Sequence, residues 1–398
     1  MIMTDQFDRM WSDLLPIGRH DRTGGYRRYA WTAEDALLRE WFDSECRSRG
    51  LELTEDRMGN QWAWWGDPDN QPGIVTGSHL DSVPDGGAYD GPLGVVSALA
   101  MVDRLRAEGF RPVRPIGVVN FVDEEGARFG VACAGSRVIT GAMSADRALG
   151  LTDADGISMA EALRGAGRPV DIGPDEPALR RIAGFVELHV EQGRALIDQD
   201  AAVAIGTGIW PHGRWRLDLP GEANHAGTTR LADRRDAMLS CAVVVQAARQ
   251  SAARHDCVAT VGKVRIEPNG VNAIPSMATC WLDARGPDEQ QVRAAVEEIS
   301  RAVDDLGGTV GEESWTATTS FDPGLTRRVR DLLGGDLPLL GTGAGHDAGI
   351  LATAGIRATM LFVRNPTGVS HSPQEYATAE DCHAGVAALT TVIRGLAG

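Results

Sequence analysis

The sequence predicts an α/β protein with a larger domain, built on a mostly parallel sheet with helices on both faces, and an inserted, ferredoxin-like β-α-β-β-α-β domain. Three observations lead to this fold class. Apolar strands alternate with helices in the N-terminal third. Polar residues directly follow several of these strands, and ligands gather at the carboxyl ends of parallel strands. Between about residues 211 and 320 the expected order changes to strand, helix, strand, strand, helix, strand.

The N-terminal part supplies the alternating elements of the larger domain. Thr32 is expected to cap a helix with acidic residues in its first turn, and Gly50 ends it. GIVTGSHLD (73–81) reads as an apolar strand that ends in polar residues, and the stretch 91–109 reads as an apolar helix. PIGVVNFVDEEG (115–126) is a second strand, which ends in carboxylates. This order predicts neighbouring parallel strands.

The inserted domain is expected over residues 211–322. Its strands are predicted at 213–221, 258–268, 276–286 and 309–319, and its helices lie within 233–255 and 287–308. Gly/Pro-rich stretches flank the region, GTGIWPHG before it and FDPGL after it. The predicted larger domain therefore comprises residues 1–210 and 323–398, and the later part returns to apolar strands that end in polar loops.

Composition and charge argue against several function classes. The 398-residue chain has 39 basic and 55 acidic residues and a net charge of −16, which opposes a sequence-independent grip on nucleic acid or on an anionic membrane. We find no signal-peptide pattern and no apolar run of about 18 residues that would span a membrane. Six scattered cysteines without a CxxC pair are typical of reduced thiols. We therefore expect a cytoplasmic protein without nucleic-acid or membrane partners.

Seven side chains after the apolar strands have the chemistry of a metal site. They are His79, Asp81, Asp90, Glu124, Glu125, His189 and His371. Imidazole and carboxylate groups bind zinc-like divalent metals, and an aspartate two residues after a histidine can hydrogen-bond its ring. If the four carboxylates converge, each pair at about 4 Å would repel by roughly 4 kcal/mol at an effective dielectric of about 20. Two divalent cations would remove that penalty.

Each of these motifs has a plainer explanation when it stands alone. A single HxD pattern fits an ordinary loop, adjacent acids fit a solvated strand end, and a single histidine is more often structural than a ligand. His346 and Asp347 are expected to belong to loop structure. The joint pattern, in which several acid and histidine clusters each follow an apolar strand, favours the metal site.

The motifs taken together resemble the M20 metallopeptidase-type amidohydrolases. They are GSHLDSVPDGGAYDGPLGV, DEEGARFG, ELHVEQG, GEANHAGTT, PNGVNAIP, LDARG, GAGHDA and SHSPQE. The resemblance runs from about residue 18 to the end and is strongest to the N-carbamoyl-L-amino-acid hydrolase and allantoate amidohydrolase branch. It implies a homodimer joined through the inserted lid domain, with two divalent ions, zinc or manganese first and cobalt or nickel as alternatives. The implied reaction is hydrolysis of a linear ureido C–N bond in a small ureido acid, with release of ammonia and carbon dioxide.

The resemblance also implies a role for each site residue. The metal ligands would be His79, Asp90, Glu125, His189 and His371, with Asp90 bridging the two ions. Glu124 would be the general base and acid, and Asp81 would orient His79. The substrate contacts would be Gln192, His225, Asn272, Arg285 and the backbone near Gly345. His225 would reach from the lid of the neighbouring subunit to stabilise the developing oxyanion, although a turn histidine is the plainer explanation. Arg285 would bind a carboxylate unless it only pairs with Asp283.

The sequence departs from the family pattern at Arg230, where proline is usual, and at Trp210 and His212, where smaller residues are commoner. These departures leave the ligands and the base in place but put the substrate side chain in question. Two other functions stay open: an aminopeptidase or N-acyl-amino-acid hydrolase on the same site, and a metal-dependent binding protein without turnover. Gln192 and Asn272 favour the ureido branch, and an unligated Glu124 argues against binding alone.

Overall fold

The computed structural model describes residues 2–398, which divide into two compact units. The first unit contains the described residues up to Gly208 together with Ser320–Leu340 and Gly345–Gly398. The second contains Ile209–Thr319 and Gly341–Ala344. A mostly parallel sheet with helices in the first unit and a separate antiparallel sheet in the second confirm the predicted fold class.

The chain contains helices and strands in the following order. The helices are α1 (Ile2–Leu14), α2 (Ala33–Ser48), α3 (Pro92–Ala107), α4 (Ala134–Ile139), α5 (Ala145–Gly150), α6 (Met159–Gly165), α7 (Glu176–Arg180), α8 (Ala195–Asp198), α9 (Ala237–Arg254), α10 (Glu289–Asp305), α11 (Pro323–Leu332), α12 (Asp347–Thr353) and α13 (Ala379–Ala397). The strands are β1 (Glu52–Glu55), β2 (Gln61–Trp65), β3 (Gly73–His79), β4 (Ile116–Phe121), β5 (Ile182–Val190), β6 (Val203–Ile209), β7 (His212–Pro220), β8 (Asn224–His225), β9 (Val258–Glu267), β10 (Ala273–Ile274), β11 (Met277–Arg285), β12 (Thr309–Thr316), β13 (Thr319–Ser320), β14 (Leu339–Thr342) and β15 (Ala358–Val363).

The large sheet has the strand order β1-β2-β4-β3-β5-β15-β6-β13, with β14 paired to β6. Its central strands β4, β3, β5 and β15 run parallel, whereas β2 and β6 join them antiparallel. Strands β3 and β4 are buried along their whole length, as expected when helices cover both faces of a sheet. The carboxyl ends of β3, β4 and β5 therefore lie side by side, and each leads into polar residues.

The helices that the sequence predicted in this unit begin and end close to the expected residues. Thr32 caps α2, where its side chain accepts a hydrogen bond from the backbone N–H of Asp35. Helix α3 has Pro92 at its start and is buried along most of its length. The β1–β2 hairpin and the short helices α4 to α7 were not predicted, since each is too short to stand out in the sequence. Helix α1 was overlooked, although its buried Phe7, Met10 and Leu14 have helical spacing.

The second unit has the element order β7-α9-β9-β11-α10-β12, which is the predicted β-α-β-β-α-β order. Its four-stranded sheet has the order β12-β7-β11-β9, and all of its strand pairs are antiparallel. Apolar side chains of α9 and α10, among them Val244 and Val296, form a core with Leu217 and Leu282 of the sheet. The predicted bounds of this domain, and its role as a lid and dimerisation domain, stay predictions.

No helix within residues 2–398 is both long enough and apolar enough to cross a bilayer. All six cysteines are free thiols, and five of them are buried.

The core of the first unit generates a test of stability. Phe42 of α2 is fully buried, whereas Leu37 of the same helix is 53% exposed. We expect Phe42→Ala to lower the free energy of unfolding by about 3–5 kcal/mol, because it removes buried apolar surface and leaves a cavity. Leu37→Ala is the matched control and should change it by less than about 0.5 kcal/mol. Urea denaturation measures both; equal effects would contradict the assigned burial.

Candidate metal centre

The metal-site candidates of the first unit lie at or beyond the carboxyl ends of four neighbouring parallel strands. His79 is the last residue of β3, and Glu124 and Glu125 come shortly after β4. His189 lies near the end of β5, where it pairs in register with Phe362 of β15. The Asp90 turn (residues 80–91) follows β3, and the His371 loop (residues 364–378) follows β15. The topology thus brings residues from distant parts of the chain to one edge of the sheet.

Both buried histidines are oriented through their Nδ1 atoms. Nδ1 of His79 lies 3.2 Å from a carboxylate oxygen of Asp81 and 3.2 Å from its carbonyl oxygen. Nδ1 of His189 lies 2.9 Å from the carbonyl oxygen of Val190. Because these acceptors require a proton on Nδ1, the neutral rings have a lone pair on Nε2. This is the tautomer that binds a metal ion through Nε2.

Asp90 lies between two groups of potential ligands. Its Oδ1 is 3.1 Å from Nε2 of His189 and 3.7 Å from Nε2 of His79. Its Oδ2 is 3.4 Å from Nε2 of His371, which in turn lies 3.8 Å from Oε2 of Glu125. In each group, His79–Asp90–His189 and Asp90–Glu125–His371, the ligand atoms lie within 4.8 Å of one another. Asp90 belongs to both groups and faces each with a different oxygen.

The chemistry of these donors fits divalent metal ions. Nε2 of His79, Nε2 of His189 and Oε1 of Glu125 are buried, and none has a hydrogen-bond partner among residues 2–398. Buried polar atoms are almost always paired, so unpaired donor atoms on three residues of the two ligand groups are consistent with a metal ion as the missing partner. Nitrogen and carboxylate donors suit zinc and manganese, and each group offers three such ligands.

Close carboxylates and histidines shift one another's pKa values. Burial raises the pKa of Glu125 well above its usual value, and the charge of Asp90 raises it further. Burial alone would raise the pKa of Asp90, but the close approach of His189, 3.1 Å from its carboxylate, and the charges of nearby histidines hold it below its usual value. Burial would lower the pKa of His79, yet Glu124 and Asp81 raise it. Without a cation, the site therefore favours bound protons.

Glu124 stands apart from both ligand groups. Its Oε2 lies 3.7 Å from Nε2 of His79, and its Oε1 accepts a hydrogen bond from the thiol of Cys133 at 3.4 Å. Burial raises the pKa of Glu124 well above its usual value; the charge of His79 opposes this shift and that of Asp347 adds to it. The backbone N–H groups of Glu124 and Glu125 donate to the two carboxylate oxygens of Asp81. Asp81 thus holds the turn that separates the two glutamates.

Three buried residues beneath the site were missed by the sequence analysis. Asp347 is the first residue of α12 and fully buried, so its expected place in loop structure is wrong. Its carboxylate accepts a hydrogen bond from the Ser136 hydroxyl. His346 is also buried, and the centroid of its ring lies 4.5 Å from the ring centroid of His189. Glu187 accepts hydrogen bonds from the Ser78 hydroxyl and the Ala348 N–H.

The signals for these residues were present in the sequence. His346 and Asp347 follow β14 as the other acid and histidine clusters follow their strands, and Glu187 is a carboxylate inside an otherwise apolar strand. A buried carboxylate needs nearby donors or cations, which the metal site provides. Glu187, His189 and His346 also form a third group whose donor atoms lie within 4.8 Å of one another.

The expected substrate contacts fall into both units. Gln192 belongs to the first unit, where its side-chain amide donates to Oδ2 of Asp90 at 2.8 Å and lies 3.4 Å from Nε2 of His371. Gly345 also belongs to the first unit and is exposed. His225, Asn272 and Arg285 belong to the second unit.

His225 and Asn272 lie side by side in the second unit. The short strands β8 and β10 pair His225 with Ala273, and the N–H of Ala226 donates to the carbonyl oxygen of Asn272. Nδ1 of His225 accepts hydrogen bonds from the backbone N–H groups of Gly227 and Thr228. The neutral ring therefore has its proton on Nε2, and the exposed side chain offers an N–H donor.

Arg285 is held from two sides within the second unit. Its Nε and Nη2 donate to the carboxylate of Asp283 at 2.8 and 2.6 Å, and its Nη1 donates to the carbonyl oxygen of Gly343. The pair with Asp283, expected as the plainer reading, is thus present. Since a guanidinium has five N–H groups, one N–H remains on each terminal nitrogen. Two parallel N–H groups of this kind match a carboxylate.

The fold and the site together define a candidate metal centre, with histidine and carboxylate side chains that could hold a metal at the carboxyl ends of a mostly parallel sheet. The model of Peptidase family M20/M25/M40 matches residues 75–395. The chain belongs to this family, which confirms the resemblance of its motifs.

Similar proteins cover the chain almost completely. The N-carbamoyl-L-amino acid amidohydrolase of Geobacillus stearothermophilus is 35% identical over 98% of this chain and 99% of its own length. The allantoate amidohydrolase of Escherichia coli is 31% identical over 95% of this chain and 94% of its own. The crystal structure of an amidase of the hydantoinase/carbamoylase family from Burkholderia multivorans has a TM-score of 0.86 and 30% identity, covering 99% and 98% of the two chains. Similarity at this coverage extends to both units.

The pKa shifts predict how metal stabilisation depends on pH. The folded-state pKa of Glu125, His79 and His189 is raised, so the stability these groups contribute is fully present below their ordinary values of 4.5 and 6.5 and is lost as pH rises. A metal ion must displace these protons, so it binds better at higher pH. We expect Mn²⁺ to raise the unfolding temperature more at pH 8 than at pH 5.

Thermal unfolding of EDTA-treated protein with and without Mn²⁺ measures this difference. Burial lowers the pKa of His346 well below 6.5, so the stability that this group contributes is lost as pH falls, opposite to the other groups. His346 contributes to the samples with and without Mn²⁺ alike. His189→Ala, which removes one ligand, should have a smaller metal-dependent shift at pH 8. A shift of equal size at both pH values would contradict the assigned ligands.

Proposed function

We propose that this protein is a binuclear amidohydrolase that cleaves the linear ureido C–N bond of an N-carbamoyl-L-amino acid or of allantoate. The observation that carries the proposal is a buried glutamate, Glu124, that lies beside two groups of potential metal ligands sharing one aspartate and belongs to neither group. The activities named for the two similar amidohydrolases support the ureido substrate class.

In this proposal His79, Asp90 and His189 hold one divalent ion, and Asp90, Glu125 and His371 hold the other. The ions, zinc or manganese, supply Lewis-acid chemistry and lower the pKa of water at the site. Asp81 keeps the lone pair of His79 directed to the site by accepting the proton of its Nδ1. The backbone carbonyl of Val190 does the same for His189.

Glu124 moves the proton in this reaction. Its carboxylate takes a proton from the attacking water and returns it to the terminal amide nitrogen of the carbamoyl group. The bond between that nitrogen and the carbamoyl carbon breaks, ammonia leaves, and the remaining carbamate loses carbon dioxide. A buried carboxylate with a raised pKa suits both steps, because it binds the proton readily after the attack.

The exposed donors of the second unit suit the charges of such a substrate. The Nε2–H of His225 would stabilise the developing oxyanion, and the two free N–H groups of Arg285 would bind the substrate carboxylate. Asn272, Gln192 and the backbone near Gly345 would contact its polar groups. In this role Asp283 aligns the guanidinium and does not compete with the substrate.

We also propose that the protein is a homodimer through its second unit. Helix α9 exposes a row of apolar side chains, with Leu239 64% and Val243 49% exposed. Strand β9 is an edge of the four-stranded sheet and leaves its outer backbone groups free to pair with another strand. An apolar helix face beside a free strand edge suits a second copy of the same surface.

We place the protein in the cytoplasm, because its six cysteines are free thiols, as expected in a reducing compartment.

The three departures from the family pattern, Arg230, Trp210 and His212, bear on substrate specificity in this proposal. Arg230 is exposed and pairs with Asp233. Trp210 packs against the backbone of Gly341 and Gly343, and its carbonyl oxygen accepts from the ring of half-buried His212.

The rival functions differ in what they require of the site. An N-acyl-amino-acid hydrolase or an aminopeptidase would use the same ligands and base, so only substrate preference separates it from the proposal. A metal-dependent binding protein has no use for Glu124, whose carboxylate lies outside both ligand groups.

A substrate panel tests the reaction. With Mn²⁺ or Zn²⁺ added, we expect ammonia release from allantoate or N-carbamoyl-L-amino acids to exceed turnover of N-acyl amino acids and dipeptides. Glu124→Gln should retain its bound metal while kcat falls by about 10²–10⁴-fold, because it removes the proton-transfer group but no ligand. Faster turnover of acyl or peptide substrates would favour the rival hydrolases. Full activity in Glu124→Gln would remove Glu124 from the mechanism.

Mixed dimers test whether His225 acts on the site of the neighbouring subunit. We expect co-expressed His225→Ala and Glu124→Gln chains to recover about a quarter of wild-type activity, since random pairing makes half the dimers mixed, each with one intact site. Each variant expressed alone should be nearly inactive. If His225 serves its own subunit, the mixture will be as inactive as the separate variants.

A further inference from the structure

Glu375 lies where the Asp90 turn meets the His371 loop. The two segments are far apart in the sequence, since Asp90 and Glu375 are 285 residues apart in the chain. Glu375 is only 4% exposed and belongs to neither ligand group. The SHSPQE motif contains it, but the proposed chemistry does not use it.

The carboxylate of Glu375 bonds to both segments. Its Oε1 accepts the backbone N–H groups of Tyr89 and Asp90 at 3.1 and 2.9 Å. Its Oε2 accepts the hydroxyl of Ser370 at 2.7 Å. One oxygen therefore holds the backbone of the shared ligand Asp90, and the other holds the residue directly before the ligand His371.

The surrounding backbone is shaped for this carboxylate. A Cβ atom on Gly87 would lie 2.4 Å from Cβ of Glu375 and 2.5 Å from its Oε1, so glycine is needed where the Asp90 turn passes over the side chain. His371 has a φ of +52°, a left-handed conformation that is unfavourable for a non-glycine residue. The loop adopts it only if other contacts hold it, and the bonds of Glu375 to Ser370 and of its own N–H to the Ser372 carbonyl lie on both sides of His371.

We propose that Glu375 is a positioning residue that holds Asp90 and His371 at the separation needed for the second metal ion. This inference rests on the proposed binuclear site. The first group, His79–Asp90–His189, takes its two histidines from strands β3 and β5 and depends less on the loop. The second group takes His371 from the loop that Glu375 fastens to the Asp90 turn. Loss of Glu375 should therefore affect the two ions unequally.

Binding of Mn²⁺ alone to the full-length metal-free protein tests this. Equilibrium dialysis should show two ions per wild-type chain. Glu375→Ala should keep the tighter ion near wild-type affinity and bind the second about 10–100-fold more weakly, as for other residues that orient ligands. Glu375→Gln keeps an acceptor for the two N–H groups and a donor for Ser370, so it should stay within about threefold of wild type. The exposed Glu380→Ala is the control for loss of a nearby acidic charge.

Ser370→Ala removes only the bond to the His371 loop and provides a milder test if Glu375→Ala folds poorly. It should weaken the second ion by about threefold to tenfold, corresponding to one hydrogen bond. Unchanged second-ion binding in both Glu375→Ala and Ser370→Ala, or equal weakening of both ions, would overturn the proposal. A wild-type chain that binds one ion would instead overturn the binuclear site, and failure to hydrolyse ureido substrates would affect only the proposed reaction.

Discussion

The repulsion among buried carboxylates at one edge of the sheet is the constraint on which the site depends. Asp81, Asp90 and Glu124 are each at most 6% exposed, and the fold brings Glu125 beside them. Two unit charges at about 4 Å repel by roughly 4 kcal/mol at an effective dielectric of about 20, which a marginally stable protein cannot sustain several times over. Histidines offset part of this repulsion. Divalent cations offset it more completely, so metal binding and the stability of this edge are coupled.

Some buried carboxylates of the first unit belong to the ligand groups, and others accept hydrogen bonds from the backbone. Those of Asp81 and Glu375 each accept two backbone N–H groups, from Glu124 and Glu125 and from Tyr89 and Asp90 respectively. A carboxylate whose lone pairs are occupied in this way is a poor metal ligand, but its hydrogen bonds fix the backbone conformation of the turn. In contrast, Oε1 of Glu125 is buried without a partner. Acceptance of two backbone N–H groups therefore distinguishes Asp81 and Glu375 from Asp90 and Glu125, whose carboxylates belong to the ligand groups.

The sequence predicted the parts of the fold that have strong periodicity or clear end signals, such as the capped helix α2 and the polar end of β3. It did not predict the β1–β2 hairpin, because short elements gain their stability from packing against distant residues. It overlooked α1, although the apolar residues of this helix have helical spacing. The metal candidates were found because each follows an apolar strand. Glu187 and Glu375 were overlooked, since their importance lies in contacts with residues more than 100 positions away. The hydrogen bonds of the Arg285 guanidinium could not be predicted either, because they form only in the folded second unit.

The burial of Glu124 is the strongest physical argument for turnover. Burying a carboxylate is costly; Nε2 of His79 lies 3.7 Å from this one, and the described hydrogen bond to its side chain comes from a thiol, which is a weak donor. Evolution of a site that only holds metal would favour an apolar or amide residue at this position, because either avoids the cost and neither disturbs the ligands. Proton transfer is different, since it needs a group that changes its charge during the reaction and has a pKa closer to neutrality than a solvated carboxyl. The same burial raises the pKa of Glu124 above its usual value, which the proposed role in proton transfer accounts for and metal binding alone does not.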